Sequence, residues 1–221
     1  MIIDYFEKYT FNNSDVQGIK ILLNFSLNNN LEIIMHEETQ GKYEQTENIN
    51  KVKEFPPLLF SVDLDSREIN SLNIPNEINK LTLLDGHHRL EHLSLYNYDH
   101  FVPIVLISNQ DVKVESYKSR IDVDENTFVE ILHMNNFKNS NSSDYFILFQ
   151  NSKYCSGDVE NIYDLYDFKR KLISSNMITP VQNDHTFPEN RSVDFTPVKL
   201  SEFYKENYLF PPKSTWISPR I

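Results

Sequence analysis

The sequence predicts an α/β (α+β) protein, and three observations carry that expectation. Apolar runs of strand length recur through the first half of the chain. One glycine-marked turn joins such a run to a helical pattern and then to another apolar run. From about residue 111 onward the pattern becomes helical and mixed. With 221 residues and 39% hydrophobic content, the chain can bury a substantial core.

Residues 19–36, IKILLNFSLNNNLEIIMH, read as two strands around a polar NNN turn. PLLFSVDLD (57–65) and INKLTLL (78–84) are two further strands, separated by a polar stretch containing Pro75, so they form a hairpin with a long connection. RLEHLSLYN sets Leu90, Leu93 and Asn97 at helical spacing, and FVPIVLIS (101–108) is a buried strand. The order strand, turn, helix, strand predicts that 78–84 and 101–108 are parallel neighbours. Downstream, VDENTFVEILHMNNF starts a helix at Asp124, KNSNSSD (138–144) is a solvated loop, and YDLYDFKRKLISSN is a second helix. A short helix around SEFYKEN precedes an extended, proline-punctuated end. The expected division is a sheet-bearing part, 1–125, and a helical C-terminal part, 126–221. No internal repeat is visible.

Charge narrows the function. A net charge of -11 repels phosphate backbones and anionic membranes, so neither nucleic acid nor membrane is an expected partner. No run approaches the roughly 18 apolar residues of a membrane span. The N-terminal MIIDYFEKYT carries acids where a signal peptide carries bases, which predicts a cytoplasmic protein. The single cysteine, Cys155, excludes an intramolecular disulfide and reads as a plain thiol.

The chemistry concentrates in LTLLDGHHRLEHL, residues 81–93. A strand that ends at Asp85, then a glycine, then a helix start brings free backbone N–H groups and the positive end of the helix to one place, which suits an anion. Gly86, one of four glycines in the chain, marks unusual dihedrals or close approach to a ligand. His88 and Arg89 add donors for phosphate oxygens. A carboxylate among them, Asp85, makes sense if it holds magnesium or orients a hydroxyl. Zinc is a weaker alternative, because of His87, His88 and His92 only the last two share a helix face.

The strand, D-G-x-H-R and helix resemble the signature of the ParB/sulfiredoxin superfamily, and the doubled histidine resembles its free-serine-kinase branch. Upstream, LEIIMHEE resembles the first strand of that family with its His-Glu pair; downstream, FPPKSTWISPR resembles an ending in which an extended tail folds back over the active site. The resemblance implies a small mixed sheet of the ParB/sulfiredoxin type with a helical extension. It implies a kinase that moves phosphate from ATP or ADP, with Mg2+, to the hydroxyl of a free amino acid, first of all L-serine. Glu37, with Glu38 as rival, then serves as base, and Asp85 and His88 complete the catalytic set. Gly86, His87 and Arg89 hold the nucleotide phosphates, and Lys213, Ser214 and Thr215 bind the substrate. The residues of the tail agree with this, since Lys213 to Thr215 offer one ammonium and two hydroxyls behind the stiff Pro211–Pro212 pair. His87 stands where sulfiredoxins carry their nucleophilic cysteine, so that chemistry is not implied. The arginine-rich motif and helix-turn-helix of the partition proteins are absent from the sequence. Two other functions compete: a nucleotide-binding regulator without catalysis, and a nucleic-acid-processing member of the superfamily.

Overall fold

The computed structural model describes residues 3–27, 30–39, 56–71, 78–95, 101–181, 188 and 191–221. The chain divides into two compact units. The first comprises Met1–Lys113, Leu200–Tyr208 and Ile217–Ile221; the second comprises Val114–Lys199 and Leu209–Trp216.

In the first unit, β1 (Ile3–Thr10), β2 (Gln17–Leu23), β3 (Glu32–Ile34), β4 (Leu58–Val62), β5 (Lys80–Asp85) and β6 (Val102–Ser108) form one mixed sheet in the order β1-β2-β6-β4-β5-β3. Helices α1 (Ser66–Asn70) and α2 (His87–Leu95) complete it. Asp65 starts α1 with a reciprocal capping box, accepting from the Arg67 amide while the Glu68 side chain accepts from the Asp65 amide. The strands 57–65 and 78–84 expected as a hairpin are antiparallel neighbours. The expectation that β5 and β6 are parallel neighbours fails, because β4 lies between them, antiparallel to β5 and parallel to β6. The parallel pairs are instead β3 with β5 and β4 with β6, and the connection from β4 to β6 carries β5 and α2 inside it.

All five residues of β4 are buried, as are Leu81 to Leu84 of β5, so the central strands are covered on both faces. One face packs Ile21, Leu58, Phe60, Leu81, Leu83 and Ile104 against Ile69 of α1 and Leu90 and Leu93 of α2. Burial of this kind contributes about 25 cal/mol per Å² of apolar surface and holds the β5–α2 turn in place. Pro75, Asn97 and most of the NNN turn lie outside the described residues.

In the second unit, helices α3 (Glu125–Met134) and α4 (Ile162–Ser174) stand where the sequence predicts them, the first capped by Asp124 through the Thr127 amide. Before, between and after them run the strands of an antiparallel sheet that the sequence does not announce. It contains β8 (Ser119–Ile121), β9 (Lys138–Asn139), β10 (Ile147–Phe149), β11 (Ser152–Cys155), β12 (Ile178–Pro180) and β13 (Ser192–Phe195), in the order β12-β8-β13-β10-β11-β9. Strands of two to four residues are too short to display an alternating pattern, which is why this region reads as merely mixed. The chain passes between the units in β7 (Lys113–Ser116) and β14 (Thr215–Ser218), and again around the 3-10 turn Leu200–Tyr204. Among the described residues no helix is long and apolar enough to cross a membrane.

Candidate active site

β5 delivers Asp85 to the edge of the core, Gly86 turns the chain, and α2 begins at His87. The first intrahelical bond runs from the Leu90 amide to the Gly86 carbonyl at 2.9 Å, so the amides of His87, His88 and Arg89 have no acceptor within the helix. Gly86 has φ of +100°, a conformation that side chains rarely adopt. A Cβ there would lie 2.5 Å from Leu58 Cδ2 and 3.0 Å from Arg89 Nη2. Conformation and space therefore both require glycine, the close neighbours being a core leucine and the guanidinium of Arg89.

Arg89 is tied into the turn. Its Nη2 donates to Asp85 Oδ2 at 3.1 Å, and its Nη1 donates to the Pro56 carbonyl at 3.0 Å and to the Pro57 carbonyl. Partial burial lowers its pKa from the ordinary arginine value, with the Asp85 carboxylate opposing that shift. Arg220 approaches the other oxygen of Asp85, Nη2 to Oδ1 at 3.6 Å. Asp85 thus sits between two guanidinium groups.

Behind the turn lies a pair of imidazoles. His36 is fully enclosed; its ring stacks on Phe203 with centroids 4.0 Å apart and meets the His87 ring edge to face at 4.6 Å. Burial pushes the His36 pKa well below the usual histidine value, the neighbouring His87 adds to that, and the hydrogen bond to the Leu83 carbonyl opposes it. His87 is lowered to about 4, first by burial and then by His88, against the raising influence of Asp85. Both rings are neutral at pH 7. Nδ1 of His36 donates to the Leu83 carbonyl at 3.0 Å, which leaves Nε2 as the lone-pair nitrogen. That nitrogen faces Glu37 Oε2 at 4.0 Å, a polar contact rather than an ion pair because the ring is uncharged. Nε2 of His87 is buried and has no hydrogen-bond partner among the described residues.

The residues singled out from sequence distribute as follows. Asp85, Gly86, His87, His88 and Arg89 form one turn, with His88 exposed and the others partly covered. Glu37 and Glu38 belong to the same unit just after β3, and the Glu37 side chain is 17% exposed beside His36. Lys213, Ser214 and Thr215 belong to the second unit. There Lys213 is exposed with φ of 54°, while Ser214 and Thr215 are buried. The Ser214 carbonyl accepts from the Tyr117 amide at 3.0 Å and from Lys169 Nζ at 3.4 Å. His36, Phe203 and Arg220 escaped the sequence reading. His36 was visible as part of MHEE, but nothing local marks Phe203 or Arg220, which reach the site from more than a hundred residues away.

A free backbone cradle at a helix start, a glycine that leaves room, and an imidazole nitrogen in need of a partner together fit a phosphate group. A dedicated metal cage is a different matter. Among the described residues no group of three or more His, Cys, Asp or Glu stands close enough to hold an ion, so magnesium would have to be bound jointly with a nucleotide's own phosphates.

No family model and no curated protein matches the sequence. Solved structures do. SbnI from Staphylococcus aureus, truncated at its C-terminus, aligns with a TM-score of 0.64 at 12% identity, over 91% of this chain and 84% of that one. Free serine kinase in complex with AMP aligns with a TM-score of 0.57 at 16% identity, over 96% of this chain and 91% of that one. A conserved hypothetical protein from Pyrococcus furiosus aligns with a TM-score of 0.53 at 16% identity, over 90% of each chain. At such identities the likeness concerns the fold, and the fold of this chain is an α/β arrangement with a mixed sheet of the ParB/sulfiredoxin type.

Proposed function

We propose that the chain is a phosphotransferase that moves a phosphoryl group from ATP or ADP to the hydroxyl of a free amino acid, L-serine first of all. The observation that carries this reading is the β5–α2 turn, where Gly86 and the first amides of α2 stand beside a buried, partnerless His87 Nε2. The likeness in fold to a free serine kinase, itself solved with AMP and, as a mutant, with ADP, supports it.

In this reading Gly86, His87 and His88 receive the phosphates. Arg89 acts mainly through Asp85 and the Pro56–Pro57 backbone, holding the turn in its bound shape. A neutral His87 suits the task, since it can donate one hydrogen bond without a charge that release of the product would have to overcome. Glu37 takes the proton of the acceptor hydroxyl as the oxygen–phosphorus bond forms and the nucleotide's terminal bond breaks. Asp85 would supply the protein's carboxylate to a magnesium ion bound with the nucleotide's phosphates, and such an ion would offset their negative charge.

Purified protein incubated with L-serine and either ATP or ADP, followed by phosphorus NMR, tests the proposal: O-phosphoserine is the expected product. Glu37→Gln should lower turnover by about 10²–10⁴ while nucleotide affinity barely changes. Glu38→Gln is the matched control, and a larger effect there would move the base by one residue.

One observation favours a second reading. Both oxygens of Asp85 face arginines, so this carboxylate is engaged as a structural latch rather than turned to a metal or a hydroxyl, which suits a nucleotide-binding regulator without catalysis. Nucleotide binding without phosphoserine, for any amino acid offered, would select the regulator.

A further inference from the structure

The geometry points to a second site in the first unit, a cavity beside β4 and β5 that binds a small zwitterion, namely the free amino acid that serves as acceptor. The ligand's role rests on the kinase reading above, while the site itself does not.

The cavity measures about 350 Å³, toward the lower end of the roughly 300–1,000 Å³ usual for small-molecule sites. Ser61 of β4 and Thr82 of β5 are cross-strand partners in it, 0% and 2% exposed. Asp63, just past the end of β4, and Lys80, the first residue of β5, are both exposed and both line the cavity, so its open end is bordered by a carboxylate and an ammonium. Lys80 lies 5.3 Å from the centre of the Tyr204 ring and 3.6 Å from Glu32, and both members of that ion pair are largely exposed, which leaves the ammonium able to turn to a ligand. The phenol oxygen of Tyr204 accepts from Thr82 Oγ1 and from Asn109 Nδ2, each at 3.3 Å, so its own proton remains to be donated.

Two polar atoms of the lining are buried without a hydrogen-bond partner among the described residues, Ser61 Oγ and Asn109 Oδ1. An unmet buried group of this kind forfeits its hydration without recompense, and natural proteins keep few of them without a reason. A ligand bearing both donors and acceptors removes that cost with small side-chain rotations. The pattern selects its chemistry. A phosphate would meet the Asp63 carboxylate, and an apolar molecule would leave Ser61 and Asn109 unmet. A compact molecule with one ammonium for Asp63 and the Asn109 Oδ1, and one carboxylate for Lys80, the Tyr204 hydroxyl and the Ser61 hydroxyl, satisfies all of them. The cavity and the phosphate turn share β5, with Thr82 at one and Asp85 at the other, three residues and about 10 Å apart along the strand.

The test uses the full chain, L-serine as probe, and calorimetric titration, with AMP titrated in parallel. Wild type should bind L-serine saturably. Asp63→Asn and Lys80→Gln, both changes at the open end that leave the core untouched, should each weaken it at least tenfold and leave AMP affinity within twofold. Ser61→Val, which closes the floor, should do the same. If none of the twenty amino acids binds wild type, or if the three variants bind L-serine as wild type does, the site is not there. If the variants lose AMP in parallel, the cavity belongs to the nucleotide and the assignment falls. Amino-acid binding lost in the variants without phosphoserine formation by wild type would retain this site and remove the kinase. Phosphoserine formation with an unchanged KM for serine in all three variants would do the reverse.

Discussion

At the scale of the residue, the two buried imidazoles make a statement about pH. Because His87 is depressed to about 4 in the folded chain, the stability it contributes is complete above the unfolded value of about 6.5 and is lost as pH falls toward 4, where the unfolded chain binds a proton that the folded chain refuses. His36, depressed for the same first reason, acts in the same direction. Denaturant unfolding of wild type and of His87→Asn at pH 7 and at pH 4.5 reads this directly: the stability difference between the two should shift against wild type by about 2–3 kcal/mol at the lower pH. An unchanged difference would mean that the ring is protonated in the fold. Asp85 to Arg89 were legible in the sequence because they are contiguous and chemically dense. Phe203 and Arg220 were not, since a stacking partner or a second arginine supplied by a distant segment leaves no periodicity around it.

At the scale of the element, the β5–α2 turn depends on one missing side chain. Gly86→Ala would force a positive φ on a residue with a Cβ and press that Cβ against Leu58 and Arg89. The expected loss is about 2–4 kcal/mol of stability from strain and overpacking together, measured by thermal or denaturant unfolding, with weaker AMP binding besides. In α4 the counterpart is Lys169, fully buried, whose ammonium donates to the Tyr117 and Ser214 carbonyls and lies over the Tyr166 and Phe195 rings. Lys169→Met fills the space but withdraws the donors, so a loss of about 1–3 kcal/mol is expected from the same measurement. A gain would mean that desolvating the ammonium outweighs its bonds. The longer elements were readable: helical patterns announced α3 and α4, Asp124 marked the start of the first, and apolar runs announced β4 and β6. The sheet of the second unit was not, because its strands offer too few residues for any period to repeat. The position of β4 between β5 and β6 was misread for another reason, since handedness rules constrain a crossover but do not say which strand it spans.

At the scale of the whole molecule, each unit is assembled from separated segments, the first from three and the second from two. The last residues belong to both. Phe210, 1% exposed, packs its ring against Tyr163 and Tyr166 in the second unit, while Arg220 faces Asp85 in the first. Truncation after Tyr208 should therefore damage both units, with about 3–5 kcal/mol lost for the phenylalanine alone, whereas removal of Ile217–Ile221 should spare the Phe210 contacts and weaken the Asp85 turn. Thermal unfolding and AMP titration of the two truncations separate these effects. The sequence reading divided the chain once, after residue 125, and carried no sign that the chain returns to the first unit after completing most of the second, because such returns are decided by long-range packing alone. The order of synthesis gives that return a temporal meaning. Asp85, Gly86 and His87 leave the ribosome long before Phe203 and Arg220 do, so a nascent chain carries the β5–α2 turn for more than a hundred residues without the ring that covers His36 or the second cation that faces Asp85. If the turn holds a nucleotide as proposed, capture waits for those later residues, and ribosome-bound chains arrested before residue 200 should fail to retain AMP.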